Sequence, residues 1–111
     1  AKIQRAYVEK VHSMPGQGVA STFTFGQNYG FLFGVLDVLN ISYDLVAPQR
    51  WQKRMIPGTE KGQSKVTAAS KATALRPDFN FLATARCKVP HMGLIDAYLI
   101  AEYGRTLWAK K

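Results

Sequence analysis

The sequence predicts a small α/β domain, and three observations lead there. The first is the alternation of short β-branched and aromatic runs with longer segments of helical period. The second is size: 111 residues, 47% of them hydrophobic, suit one small folded domain over residues 1–111 rather than a disordered chain. The third is punctuation, because proline, glycine and asparagine fall between the periodic segments rather than inside most of them. The order read from the N-terminus is strand, helix, strand and then helices, with few strands for an α/β protein.

Each element follows from its residues. Tyr7, Val8 and Val11 favour a strand over residues 3–11, with Glu9 near its end. A loop over residues 13–18 contains Pro15, Gly16 and Gly18, and Ser21 or Thr22 is positioned to cap the helix that follows. That helix, residues 23–39, is apolar on two faces. Phe25, Tyr29, Leu32, Leu36 and Leu39 make one face; Phe31, Val35 and Val38 make the other. Such a helix is expected to be buried on both sides, in a core or between subunits. Gly26, Gly30 and Gly34 recur every fourth residue and form a ridge without side chains. Each glycine costs a helix about 1 kcal/mol relative to alanine, so close backbone approach is expected to offset the loss.

Asn40 ends the helix, and residues 41–46 read as a second strand. Pro48 opens a short basic helix over residues 49–55, with Arg50, Lys53 and Arg54 beside Trp51. That tryptophan suits either a core plug or a nucleic-acid contact. After a loop with Pro57, Gly58 and Gly62, Ser64 is expected to cap an alanine-rich helix, residues 65–76, with a thin stripe of Val66, Ala69 and Leu75. Pro77 stops it. Residues 79–89 form a hydrophobic connection to a final amphipathic helix, residues 90–108, with Lys110 and Lys111 beyond its end.

The final helix carries the most informative residue. Met92, Leu99, Ile100, Tyr103 and Leu107 share one face, and Asp96 lies in the middle of it. A carboxylate there must be protonated, paired or bound to a cation, because an isolated buried charge is costly. Two readings follow: a structural aspartate, or a metal ligand or catalytic acid.

Charge and cysteine content restrict the function. Fifteen Lys and Arg against seven Asp and Glu leave a net charge of +8, which suits a polyanionic partner, nucleic acid first. An anionic membrane surface ranks well below, because no basic amphipathic helix of the membrane type is present. No apolar run is long enough to span a bilayer, so no membrane partner is expected. The single cysteine, Cys87, forms no internal disulfide, and no secretory leader is visible, which together predict a cytoplasmic setting. HExxH, Gly-Lys phosphate loops and Gly-x-Ser-x-Gly elbows are missing, and His12 and His91 lack the spacing of a preformed site.

Five stretches in order resemble a known family. They are Tyr7-Val8-Glu9-Lys10-Val11, Gly26-Gln27-Asn28-Tyr29-Gly30 and Pro48-Gln49-Arg50-Trp51-Gln52-Lys53. The remaining two are the run from Lys61 to Lys65 before a helix ending Leu75-Arg76-Pro77, and Asp96-Ala97-Tyr98-Leu99-Ile100-Ala101-Glu102-Tyr103-Gly104. Together they resemble the RuvC-like Holliday junction resolvases, particularly the phage versions, within the RNase H-like nucleases. The resemblance implies an RNase H-like α/β fold and a four-carboxylate site holding two Mg²⁺ or Mn²⁺ ions. It also implies branched, four-way-junction DNA as substrate and the cytoplasm of a bacterium or phage-infected cell as setting. By resemblance, Glu9 and Asp96 are metal ligands, and Arg50, Lys53, Arg54, Lys61, Lys65 and Lys71 contact phosphates. A homodimer through Gly26, Tyr29, Gly30, Phe33 and Gly34 is implied as well.

Two departures qualify these expectations. The family's first aspartate lies on an opening strand upstream of the Glu9 strand, so the fold is expected to be truncated at its N-terminus, with little or no activity alone. A carboxylate expected shortly before Asp96 is replaced by the segment His91 to Ile95, where His91 is a candidate ligand or water-positioning base. The rivals are a non-catalytic nucleic-acid-binding homodimer of the same fold and a structural assembly protein.

Overall fold

The computed structural model describes residues 3–11 and 16–109, with only the backbone of Ala109. It is a mixed α/β structure: β1 (Ala6–Glu9), α1 (Val19–Val38), β2 (Tyr43–Val46), α2 (Pro48–Met55), α3 (Ser64–Leu75) and α4 (Met92–Ala109). His12 and the expected loop up to Pro15 lie outside the described residues, as do Lys110 and Lys111.

β1 and β2 pair in parallel, with Ala6 opposite Tyr43 and Glu9 opposite Val46. Parallel neighbours need a crossover, and α1 supplies it. The amides of Ala6 and Lys10 donate to the carbonyls of Ser42 and Val46 at 2.9 and 2.7 Å, bracketing the ladder. Both strands are shorter than their β-branched runs suggest: β2 starts late because the Ile41 amide closes the end of α1, and β1 stops where β2 gives way to α2. Arg5 closes the N-terminal side with a two-pronged bond to Asp44, at 2.9 and 2.8 Å.

The core is formed by α2, α3 and α4 with the end of β2: Val46, Trp51, Met55, Ile56, Ala68, Ala72, Phe81, Ile95, Leu99, Ile100 and Tyr103. α4 supplies its centre, as its periodicity predicts, and also buries Ile95. Of the stripe expected on α3, Ala69 packs against the core but Val66 and Leu75 do not. Ala68 and Ala72 are buried, whereas Val66 is 64% exposed. The two small residues admit α4 closely, and the larger Val66 is left outside. Ser64 is the first residue of α3 rather than its cap, and Gln63 occupies the cap position with no side-chain bond. Gly104 likewise lets α4 meet β1, for a Cβ added there would overlap the ring of Tyr7.

α1 departs furthest from expectation. It starts at Val19, so Ser21 and Thr22 lie within its first turn; Gly18 is the cap residue, and its carbonyl accepts from the Thr22 hydroxyl at 2.9 Å. Its C-terminus closes as the sequence predicts. Asn40 takes a left-handed φ of 59°, its amide donates to Asp37, and the Ile41 amide donates to Leu36. The expected burial on two faces does not occur within one chain. Leu36 is buried and Tyr29 and Phe33 are half-buried, but Phe23, Phe31 and Val38 are 68%, 74% and 85% exposed. Gly26, Gly30 and Gly34 face open space, with nothing near enough to touch an added Cβ. What holds α1 to the sheet is an aromatic row, Tyr29 to Phe33 to Tyr43, with ring centroids 4.6 and 4.9 Å apart.

Candidate functional site

The parallel pairing places Glu9 at the C-terminal end of β1, the end at which ligands gather in open α/β sheets. Asp96 arrives from the second turn of α4, which packs on β1. The two carboxylates interact. The Asp96 carboxyl is held above the ordinary carboxylate range, first by its partial burial and second by the charge of Glu9; Lys65 on α3 opposes the shift. Three elements far apart in sequence thus contribute charges to one place.

Glu9 is tethered twice. Its backbone carbonyl accepts a hydrogen bond from the Tyr29 hydroxyl of α1 at 2.8 Å. Its carboxylate accepts from the indole Nε1–H of Trp51 on α2 at 3.4 Å. Trp51 is 1% exposed, so it is a core residue whose one polar atom reaches the site. The sequence offers both roles for this tryptophan, and the structure combines the core plug with a contact to Glu9 instead of nucleic acid.

His91 is positioned differently. It precedes α4, where its Nδ1 accepts from the Leu94 amide at 3.3 Å and its carbonyl accepts from Leu94 and Ile95, both at 3.1 Å. These are the contacts of a helix cap. Among the described residues no group of three or more His, Cys, Asp or Glu side chains converges, so His91 does not join Glu9 and Asp96.

The basic residues spread over more than one surface. Lys53 and Lys61 line a groove of about 590 Å³ with Gln49, Gln52 and Ser64, beneath a loop whose Gly58 and Gly62 take φ values of 72° and 82°. A side chain would strain both glycines. The charge of Lys65 acts on Asp96, whereas Arg54 donates to Thr106 of α4 at 3.2 Å. Arg50 is exposed and Lys71 half-buried.

Chemically, the centre is a pair of carboxylates with a lysine charge acting on it, and the α2–α3 surface carries a groove lined by Lys53, Lys61 and Glu60 among apolar and uncharged residues. Sequence reasoning missed the tethers of Glu9. The one available signal was a tryptophan in an otherwise polar helix, since a buried indole N–H needs an acceptor. No helix among the described residues is long and apolar enough to cross a membrane. Comparison with protein-family models and with curated proteins finds no match.

Proposed function

We propose that this chain is an RNase H-like, metal-dependent DNA endonuclease of the RuvC resolvase type, acting on branched DNA as a homodimer. The observation that carries the reading is the placing of Asp96 within reach of the Glu9 charge at the carboxyl end of a parallel strand, where burial and that charge raise the cost of ionising Asp96. A divalent cation relieves that cost directly. The donor set suits one Mg²⁺ or Mn²⁺ completed largely by water, a common arrangement for Mg²⁺, and falls short of the several carboxylates that two ions need. When bound, such an ion supplies charge stabilisation at a phosphodiester oxygen and an acidified water. Lys65 and the Lys53–Lys61 groove supply cations for the backbone phosphates. The exposed apolar residues and open glycine ridge of α1 fit a second copy related by a two-fold axis, because a flat ridge is complementary to itself.

One observation favours a second reading, a non-catalytic nucleic-acid-binding homodimer of the same fold. The converging carboxylates among the described residues number two rather than three or more. With so few ligands, little or no cleavage is expected from these residues alone. The experiment is a four-way-junction assay with Mg²⁺ or Mn²⁺, run on the chain and on Asp96→Asn. Cleavage that disappears in the variant supports the nuclease. Salt-sensitive junction binding without cleavage supports the second reading. Failure to bind branched or linear DNA removes both.

A further inference from the structure

We propose that Trp51 is a positioning residue for Glu9, its indole N–H holding the carboxylate in the orientation that presents it, with Asp96, to a divalent cation. The inference rests on reading Glu9 and Asp96 as a cation site. Its own support is geometric. Trp51 is 1% exposed and packed among Val46, Met55, Ile95 and Leu99. Its ring is enclosed by the core, and its only side-chain donor is Nε1–H. That donor meets Glu9 Oε1 at 3.4 Å. This is longer than the usual N–H···O distance of roughly 2.7–3.2 Å, so the contact is a weak one. The Glu9 main chain is fixed separately by Tyr29. The indole therefore acts on the one part of Glu9 that the backbone does not determine, the rotation of its carboxylate. Using one oxygen for the indole leaves the other for a cation. Partners that orient a metal-binding carboxylate in this way typically change affinity about 10- to 100-fold when removed.

The test separates the N–H from the ring. Trp108→Phe leaves Trp51 as the only indole, and its ¹H–¹⁵N resonance becomes a direct reporter. Glu9→Gln in that background is expected to shift the resonance, and Mg²⁺ is expected to shift it with Glu9 intact but not in Glu9→Gln. Mn²⁺ affinity, measured by electron paramagnetic resonance, is expected to fall about tenfold or more in Trp51→Phe. Benzothienylalanine at position 51, which keeps the bicyclic shape and replaces N–H with sulfur, is expected to show the same loss even if the phenylalanine variant fails to fold. Unchanged Mn²⁺ affinity in the benzothienyl protein overturns the proposal while leaving the cation site in place. Absence of Mn²⁺ binding by the unmodified chain overturns the cation site, and the role of Trp51 with it. An indole resonance indifferent to Glu9→Gln overturns the contact itself.

Discussion

Replacing Gly26, Gly30 and Gly34 together with alanine separates two accounts of α1. In a lone chain the substitution is favourable, because an added Cβ meets nothing at any of the three positions. Helix propensity then contributes about 0.8–1.0 kcal/mol per site, so the triple variant gains roughly 2–3 kcal/mol. For a domain of this size that is a rise of roughly 10–20 °C in Tm. In a dimer packed on the ridge, the methyl groups of both copies enter the closest part of the interface. Overpacking costs about 1–3 kcal/mol, and every 1.4 kcal/mol is about tenfold in Kd. The dimer reading therefore predicts a Kd raised roughly 10- to 100-fold. Gly30→Leu should act in the same direction more strongly. Sedimentation equilibrium measures association, and urea unfolding at several protein concentrations measures stability alongside it. A wild-type monomer at micromolar concentration, or a triple variant that is more stable and associates undiminished, refutes the dimer through this ridge.

Three further outcomes are expected. Changing Arg50, Lys53 and Arg54 to Gln should weaken DNA binding and reduce the slope of log K against log salt by up to about 0.9 per lost phosphate contact; titration at a series of salt concentrations checks it, and an unchanged slope places the contacts elsewhere. Asp96→Asn should stabilise the chain at neutral pH in EDTA. The folded state holds the Asp96 proton more tightly than the unfolded chain, so stability falls as pH rises from about 3.9 through the raised folded value, and the variant escapes that loss. Thermal melts across pH should show the two proteins converging below the unfolded carboxylate range, and a less stable variant at pH 7 contradicts the assignment. Gly104→Ala should destabilise by about 1–3 kcal/mol despite its better helix propensity, because its Cβ overlaps the Tyr7 ring; urea unfolding reads this directly, and a neutral result means that the ring swings aside.

Much of the architecture was legible locally. The Asn40 stop, the Pro48 start and the apolar stripe of α4 each depend on residues a few positions apart, and each is observed. The N-terminus of α1 was misread because Ser21 and Thr22 are good caps in isolation, yet the helix extends back to Gly18. The inward face of α3 was only partly legible: Ala69 does pack on the core, but hydrophobicity favoured Val66 and Leu75 where close approach to α4 selects Ala68 and Ala72. The candidate site was half legible: Asp96 stood out as a carboxylate on an apolar stripe and Glu9 entered through the family resemblance, while the capping geometry of His91 and the tethers from Trp51 and Tyr29 did not show.

By itself the sequence determined the α/β class, the order of the main elements with three to four helices, the positive charge and the anomaly of Asp96. These are properties of composition and of spacing within a few turns, where neighbouring residues fix one another. The tertiary structure alone decided that β1 and β2 pair in parallel, and that α4 packs on β1 and so brings Asp96 under the charge of Glu9. It also decided that Trp51 spends its one donor on Glu9, and that α1 leaves its apolar faces and glycine ridge outside the core. Those outcomes depend on which distant surfaces exclude water together, and no local pattern carries that information.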